Sequence, residues 1–232
     1  VPEGSGAEGS AEEVWVVDLD GALGPATADL IIRSIGDAEA ADARALIIRM
    51  DTPGGLDKSM RDLVKRILAA KLPIITFVAP DGARAASAGT YIAYASHIVA
   101  MAPATNIGSS TPVSIAPGPK MPQPGAPEPG AGAPEPDAQP PGDAMTRKVI
   151  NDAVAYLQSL GELRGRNIEW AEETVRFGAT LRASEALAEN VIDLIAADLQ
   201  TLLADIDGRS VELSRGTVVL DVADAGIHVV ET

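Results

Sequence analysis

Short apolar runs alternate with amphipathic stretches along most of the 232-residue chain. The runs at 14–19, 45–50, 73–79 and 97–101 are rich in Val and Ile and predict buried strands. The stretches between them have apolar residues at helical spacing, and Pro25 opens the first of these predicted helices. Strands that alternate with helices through short links predict stacked βαβ units around a mostly parallel sheet, which is an α/β fold.

Three segments depart from this alternation. Residues 1–13 are rich in Gly, Ser and Glu and predict a disordered leader before a main domain at 14–205. Residues 111–143 hold 11 of the 17 prolines and predict a mobile, polyproline-like loop, which is either an idle insertion or a lid. Residues 206–232 alternate apolar and polar positions and predict a small C-terminal β appendage.

The charge of the chain restricts its partners. Lys and Arg number 18 against 33 Asp and Glu, a formal net charge of −15, which disfavours nucleic acid and polyanionic cofactors such as coenzyme A. The absence of cysteine excludes disulfides, thiol catalysis and thiolate metal sites, and we expect neither a cofactor nor a metal ion. No apolar run has the length of a membrane-spanning helix, so we expect a soluble polypeptide. Because the chain starts without Met, we interpret its start as the product of signal-peptide removal or as an artificial boundary.

A single hydroxyl stands among small residues just after the third predicted strand. Ser87 lies within the small-residue stretch 85–89, before a helix-like run. A serine at a strand-to-helix junction can present its oxygen where free helix N–H groups point at incoming negative charge, as acyl transfer requires. Small residues around a serine are also common helix-packing material, so Ser87 is either a nucleophile or a packing residue.

A glycine turn follows the second predicted strand. Residues 51–55 read Asp-Thr-Pro-Gly-Gly, and glycines allow positive φ and a close approach of backbone whose N–H groups stay free. Alone, the segment is a plain turn with Asp51 as a local cap. Together with the Ser87 junction it favours a site, because two such junctions at strand ends are hard to explain by packing.

In this order the two motifs resemble those of ClpP-class serine peptidases in the ClpP/crotonase superfamily. The chain most resembles the protease domain of NfeD-type membrane proteins, the partners of stomatin-like proteins, over about residues 14–205, with further matching runs at 97–103, 106–108 and 181–193. The resemblance implies a ClpP/crotonase-like stacked βαβ spiral. It also implies an oxyanion hole formed by the N–H groups of Gly55 and Ala88, with substrate contacts at Gly54 and Gly89.

A serine nucleophile needs a base, and histidine is the usual one. Of the two histidines, His97 heads the strand after the Ser87 helix, where a structural role is expected, and His228 lies in the C-terminal segment. In ClpP the catalytic histidine occupies a position that falls near Ser110 here, so that histidine is missing.

Lysine is the remaining candidate for the base. Lys148 begins a predicted helix after the proline-rich loop, and the resemblance places the lysine base of NfeD-type proteases at this position. The positive end of the helix dipole should favour the uncharged amine that a base requires. The alternative is a solvated surface lysine beside Arg147.

The resemblance then implies a serine endopeptidase with a Ser87–Lys148 dyad. Its substrates would be apolar segments of membrane-associated proteins, stomatin-like partners among them. It further implies a homodimer whose membrane attachment lies outside this chain, and an extracytoplasmic location. Three alternatives remain open: a crotonase-like acyl-CoA enzyme, a catalytically silent peptide-binding module and a purely structural assembly domain.

Overall fold

A computed structural model describes residues 13–112 and 141–231, with side chains from residue 144 onward in the second range. The predicted leader (1–13) and the predicted proline-rich loop (111–143) fall almost entirely outside these described residues. Within the described part of the chain, no helix combines the length and apolarity needed to cross a bilayer.

The first described range folds into successive βαβ units. Its elements are β1 (Glu13–Asp20), α1 (Pro25–Ala40), β2 (Ala45–Asp51), α2 (Asp57–Leu68), β3 (Ile74–Val78), β4 (Arg84–Ala86), α3 (Ala88–Ala95), β5 (Ile98–Met101) and β6 (Asn106–Gly108). The second range contains α4 (Pro141–Arg164), α5 (Ile168–Arg176), β7 (Thr180–Arg182), α6 (Ala183–Ala188), β8 (Leu194–Ile195), α7 (Leu199–Ile206), β9 (Ser210–Leu213), β10 (Gly216–Val219) and β11 (Gly226–Val229).

The main sheet has six parallel strands in the order β11-β1-β2-β3-β5-β8, which confirms the predicted α/β fold. Its register aligns Val16, Ile47, Ile75 and Ile98 in one row across four strands, all in the same buried cluster. The next residue along β1 and β2 belongs to the cluster on the opposite face. The strands are apolar on both faces because both sides of the sheet are covered: helices pack on one face, and α7 with residues 211–222 packs on the other.

A second, three-stranded sheet carries the Ser87 junction. In it β4 pairs with β6 in parallel, and β6 pairs with β7 in antiparallel. A bridge between Thr52 and Ala85 joins this sheet to the end of β2. Strand β4 has no signal in the sequence, because a strand of three residues is too short to show a hydrophobic period.

The C-terminal segment is only partly an appendage. Strands β9 and β10 form a separate antiparallel hairpin, as the alternating pattern predicts. Strand β11, in contrast, extends the main sheet by pairing with β1, and its His228 stacks on Trp15 with ring centroids 4.1 Å apart. This edge strand makes residues 226–229 part of the main domain's sheet.

His97 has a structural environment, as its position in the sequence suggests. Its Nδ1 accepts a hydrogen bond from the N–H of Ile74 at 3.0 Å. Burial, reinforced by the positive charges of Arg164 and Arg166, lowers the pKa of His97 to about 4. The neutral imidazole is therefore the form that the fold accommodates.

This burial predicts an acid-sensitive contribution to stability. The folded-state pKa of His97 (about 4) lies below its ordinary value of 6.5, so the unfolded chain binds more protons between these two values. Stability should therefore fall as the pH drops through that window, by about 2–3 kcal/mol from this residue. Urea unfolding near neutrality and near pH 4 should show a smaller acid loss for His97→Gln than for the wild type. Equal losses in the two proteins would contradict the assignment.

Candidate active site

Ser87 occupies the N-cap of α3, directly after β4, with φ 52° and ψ −114°. Its own N–H donates to the carbonyl of Gly108 at 2.9 Å, and its hydroxyl makes no capping hydrogen bond to the helix. A non-glycine residue in such a backbone conformation costs about 1–3 kcal/mol and persists only where its surroundings hold it. Strained residues of this kind concentrate at functional sites, which favours the nucleophile over the packing residue.

The glycine turn after β2 supports this conformation. Thr52 Oγ1 donates to the carbonyl of Gly21 at 2.7 Å and accepts from the N–H of Gly54 at 3.1 Å, so the turn is fixed from within. Gly54 has φ 114°, and a Cβ on it would lie 2.7 Å from Ser87 Cβ and 3.1 Å from Ser87 Oγ. The absence of a side chain at this position is what allows the turn to lie against the serine.

Two backbone amides flank the serine. The N–H of Leu23 donates to the carbonyl of Gly54 at 2.8 Å, and the N–H of Leu56 donates to the carbonyl of Leu23 at 3.0 Å. These two bonds form a parallel β-bridge between Leu23 and Gly55, in which the N–H of Gly55 points away from Leu23. Ala88 is the first residue of α3, where the N–H has no acceptor within the helix. Among the described residues neither amide donates a hydrogen bond. Both are available to a developing negative charge.

Ser87, Gly55 and Ala88 line one cleft of about 260 Å³. Its other described lining residues are mostly apolar: Leu56, Asp57, Met60, Arg61, Tyr91, Ser110, Pro112 and Ala153. Two larger cavities, each of about 550 Å³, lie elsewhere, one beside Arg44 and one beside Asp198, and no serine, threonine or histidine is among their described lining residues. Size alone therefore does not identify the site, whereas the hydroxyl and the free amides do.

Lys148 is on the helix that forms one wall of this cleft. Helix α4 contributes Ala153 to the lining, and the hydroxyl of Tyr91 donates to the Ala153 carbonyl at 3.4 Å. Lys148 itself is exposed and is not among the described residues that line the cleft.

The predicted contribution of the helix dipole to Lys148 is wrong. Helix α4 begins at Pro141, inside the predicted loop, and Lys148 is therefore about two turns from the helix start. The dipole effect is confined to the first turn of a helix. A lysine base at this position needs another source of electrostatic control.

The predicted substrate contacts at Gly54 and Gly89 stay predictions, and in the structure both glycines have a packing role. Neither residue is among the described residues that line the cleft. Gly89 is buried, and a Cβ on it would lie 2.7 Å from Thr52 Cγ2 and 3.1 Å from Met50 Sδ. Gly89 thus lets α3 pack closely against the end of β2, and Gly54 gives room to Ser87.

The structure adds residues to the site that the motifs do not reveal. Ser110 is buried in the cleft, where its N–H donates to the Thr174 carbonyl at 3.0 Å and its Oγ accepts from Thr174 Oγ1 at 3.3 Å. Arg61 and Tyr91 line the cleft from α2 and α3. The α4 residues that Arg61 and Tyr91 contact are far away in the sequence, so no local pattern indicates that these two side chains belong to the cleft.

The chain is similar to known membrane-associated proteins. The model of the NfeD1b N-terminal domain family matches residues 13–118. The membrane-bound protease PH1510 of Pyrococcus horikoshii is 37% identical over 200 residues, which are 86% of this chain and 41% of that protein. The membrane protein NfeD1b of Bacillus subtilis is 33% identical over 104 residues, 45% of this chain and 23% of that protein. The chain spans about two fifths of the first relative and about a quarter of the second.

Solved structures of the 1510-N membrane-bound stomatin-specific protease match nearly the whole chain. A lysine-to-alanine variant in complex with a substrate peptide superposes with a TM-score of 0.78 at 33% identity, covering 95% of this chain and 93% of that one. A serine-to-alanine variant gives a TM-score of 0.79 at 34% identity, covering 95% of this chain and 98% of that one. The chain therefore belongs to the family of NfeD-type N-terminal domains and shares the ClpP-like fold of their protease members.

Proposed function

We propose that this chain is a serine endopeptidase domain in which Ser87 is the nucleophile and Lys148 the general base. The observation that carries this proposal is the placement of Ser87. Its hydroxyl stands at a strained helix N-cap in a cleft that Gly55 and Ala88 also line, and the amides of these two residues have no acceptor among the described residues. The relatives whose solved structures match are proteases in which a serine and a lysine were replaced by alanine for study.

The reaction follows from these positions. The unprotonated amine of Lys148 takes the proton of Ser87 as Oγ attacks the scissile carbonyl carbon. The carbonyl oxygen becomes an oxyanion, which the N–H groups of Gly55 and Ala88 stabilise. The ammonium returns its proton to the leaving amine as the C–N bond breaks and the acyl group remains on Ser87. Lys148 then deprotonates a water molecule, whose oxygen attacks the ester carbon. The bond from that carbon to Ser87 Oγ breaks, the ammonium returns its proton to Oγ, and the acid is released with the hydroxyl and the neutral amine restored. Contacts of this kind often close fully only when substrate binds, which is how an exposed Lys148 acts on Ser87.

The cleft fits an apolar substrate. Leu56, Met60, Tyr91 and Ala153 give it an apolar lining, and its volume is about 260 Å³. We propose that the substrates are apolar segments of membrane-associated proteins, with stomatin-like proteins as partners, because the matching 1510-N protease is stomatin-specific.

We further propose a homodimer located on the extracytoplasmic side of a membrane. Both curated relatives are membrane proteins. We propose that membrane attachment lies outside the part of these relatives that this chain matches. A dimer interface on α4 or at the end of α5 would cover apolar surface, since Met145, Leu163 and Phe177 are 65%, 61% and 79% exposed.

A fluorophosphonate probe tests the nucleophile directly. The wild type should be labelled on the peptide that contains Ser87, because the probe reacts only with an activated hydroxyl beside an oxyanion site. Ser110→Ala is a matched control, since Ser110 lines the same cleft but hydrogen-bonds with Thr174. This variant should keep at least about half of the labelling rate. Labelling on Ser110 in place of Ser87 would contradict Ser87 as the nucleophile. Binding of an apolar peptide with neither labelling nor cleavage would contradict the peptidase and favour a peptide-binding module.

A further inference from the structure

The guanidinium of Arg61 connects the cleft to the helix that carries Lys148. Its Nε donates to the carboxylate of Asp57, on the same helix, at 3.0 Å. Its Nη2 donates to the carboxylate of Asp152, on α4, at 2.5 Å. The guanidinium carbon also lies 4.4 Å from the centre of the Tyr156 ring, again on α4. Arg61 thus contacts α4 at two points one turn apart while it lines the cleft.

An aromatic stack extends this connection to the serine helix. The rings of Tyr156 and Tyr91 are stacked with centroids 5.8 Å apart, and Tyr91 belongs to α3, whose N-cap is Ser87. Arg61, Tyr156 and Tyr91 therefore join α2, α4 and α3 beside the cleft. A displacement of Arg61 would change the packing of α4, which carries the proposed base, and of α3, whose N-cap is the proposed nucleophile.

Asp152 lies four residues after Lys148 in the same helix. Residues at this spacing share a face of the helix and form ion pairs readily. Lys148 and Asp152 are both on the exposed part of α4, so a free Asp152 carboxylate would attract the lysine ammonium. Such a pair holds the proton on the amine and opposes the role of a base. In the structure the Asp152 carboxylate is bound by Arg61 instead.

The surrounding charges agree with this assignment. Helix α3 carries no charged residue. Among the described residues, the contacts of α2 and α5 bring Asp57, Arg61, Glu172 and Arg176 to this part of α4. Residues 144–156 of α4 itself carry Arg147, Lys148 and Asp152. Arg176 pairs with Glu172 at 2.5 Å and donates to Asn151 at 3.1 Å, so Glu172, one of the three acids on α5, is paired within its own helix. Asp152 is then the carboxylate on the Lys148 face of α4, and Arg61 determines whether that carboxylate is paired.

We propose that Arg61 is a positioning residue of the site: by holding Asp152 it fixes the Lys148 turn of α4 against the cleft and keeps that carboxylate from the lysine amine. The inference rests on the proposed function, since it assigns Arg61 a role in a Ser87–Lys148 reaction. The Arg61–Asp152 pair is substantially solvent-exposed, with side chains 32% and 66% exposed. Pairs of this kind add at most about 1 kcal/mol to stability, so removing one should leave the fold intact.

The test is a set of matched variants measured by the pH dependence of cleavage of a fluorogenic apolar peptide. Arg61→Met should lower kcat about tenfold or more with KM changed less than about threefold, because the base is displaced while the cleft remains. It should also move the acidic limb of the pH–rate profile upward by about one pH unit, because Asp152 then pairs with Lys148. Adding Asp152→Asn to Arg61→Met should return the acidic limb of the pH–rate profile to its wild-type position. Arg61→Lys should keep part of the kcat that Arg61→Met loses.

Arg66→Met is the control, since Arg66 lies on the same helix but pairs with Glu39, at 2.9 Å, away from α4. Its kcat and pH profile should match the wild type. Equal losses in Arg66→Met and Arg61→Met, or a limb that stays shifted in the double variant, would overturn the inference.

A second measurement separates this inference from the proposed function. If the wild type and Ser87→Ala cleave equally, the proposed function fails, and kinetics cannot then report on Arg61. NMR titration of reductively methylated lysines follows the Lys148 amine without any catalysis. Its titration midpoint should be higher in Arg61→Met than in the wild type and should return in the double variant. An unchanged midpoint would overturn the inference by itself.

Discussion

Ser87→Ala should reduce cleavage of an apolar peptide by at least about a thousandfold, and Lys148→Ala should reduce it by about a hundredfold to ten-thousandfold. The first variant removes the atom that forms the acyl bond, and the second removes the group that accepts its proton. Because the two side chains act as one unit, the double variant should lose no more than Ser87→Ala alone. Values of kcat/KM for the two single variants and the double variant test this non-additivity.

Two controls make the result specific. Lys65→Ala removes an exposed lysine of α2, 74% exposed, and Ser159→Ala removes an exposed serine whose hydroxyl bonds only within α4, at 2.8 Å. Both should keep activity near the wild-type level, since surface changes of this kind cost within about 0.5 kcal/mol. Losses that multiply in the double variant, or full activity in Lys148→Ala, would show that Lys148 is not the partner of Ser87.

Much of the fold can be predicted from the sequence because its main strands are continuous and apolar. The segments 45–48 and 74–78 are buried on both faces, and such strands appear in the sequence as short apolar runs rich in Ile, Leu and Val. The three-residue strands of the second sheet have no such signature, and their pairing depends on residues as distant as Ala86 and Gly108. The place of β11 beside β1 likewise depends on a contact between the two ends of the chain, which a local pattern cannot encode.

The site is predictable to the extent that it is local. The serine stretch and the glycine turn stand in the sequence, the family resemblance implies roles for Gly55 and Ala88 beside Ser87, and the structure brings the three residues into one cleft. The φ of 52° at Ser87 is imposed by the packing of the turn against β4 and is not visible in the residue order. Arg61 and Asp152 are 91 positions apart, and their meeting depends on how α2 and α4 pack. The start of α4 is a further case, since its position two turns before Lys148 removes the dipole argument for that lysine.

At Gly55 the lack of room for a side chain, more than the need for an unusual backbone conformation, requires glycine. A Cβ built on Gly55 would lie 2.1 Å from the carbonyl oxygen of Leu23 and 2.7 Å from its carbonyl carbon and Cα. These are backbone atoms in the bridge that orients the Gly55 N–H, so they cannot give way as the tip of a side chain can. Any larger residue must push the turn away from Leu23 and take the amide with it.

Gly55→Ala should therefore impair both stability and catalysis. Forcing a methyl group into this contact should lower the free energy of unfolding by about 1–3 kcal/mol. Displacing one donor of the proposed oxyanion hole should lower kcat by about a hundredfold to a thousandfold, well beyond what partial unfolding explains. Gly36→Ala is the matched control, because a Cβ there meets no atom within 4 Å and the residue lies inside α1. That control should be stabilised by about 0.5–1 kcal/mol with wild-type activity. Urea unfolding and kcat should be measured on the same preparations. A folded Gly55→Ala protein with wild-type kcat would remove the Gly55 amide from the mechanism, because the clash of the new methyl group with Leu23 must displace that amide.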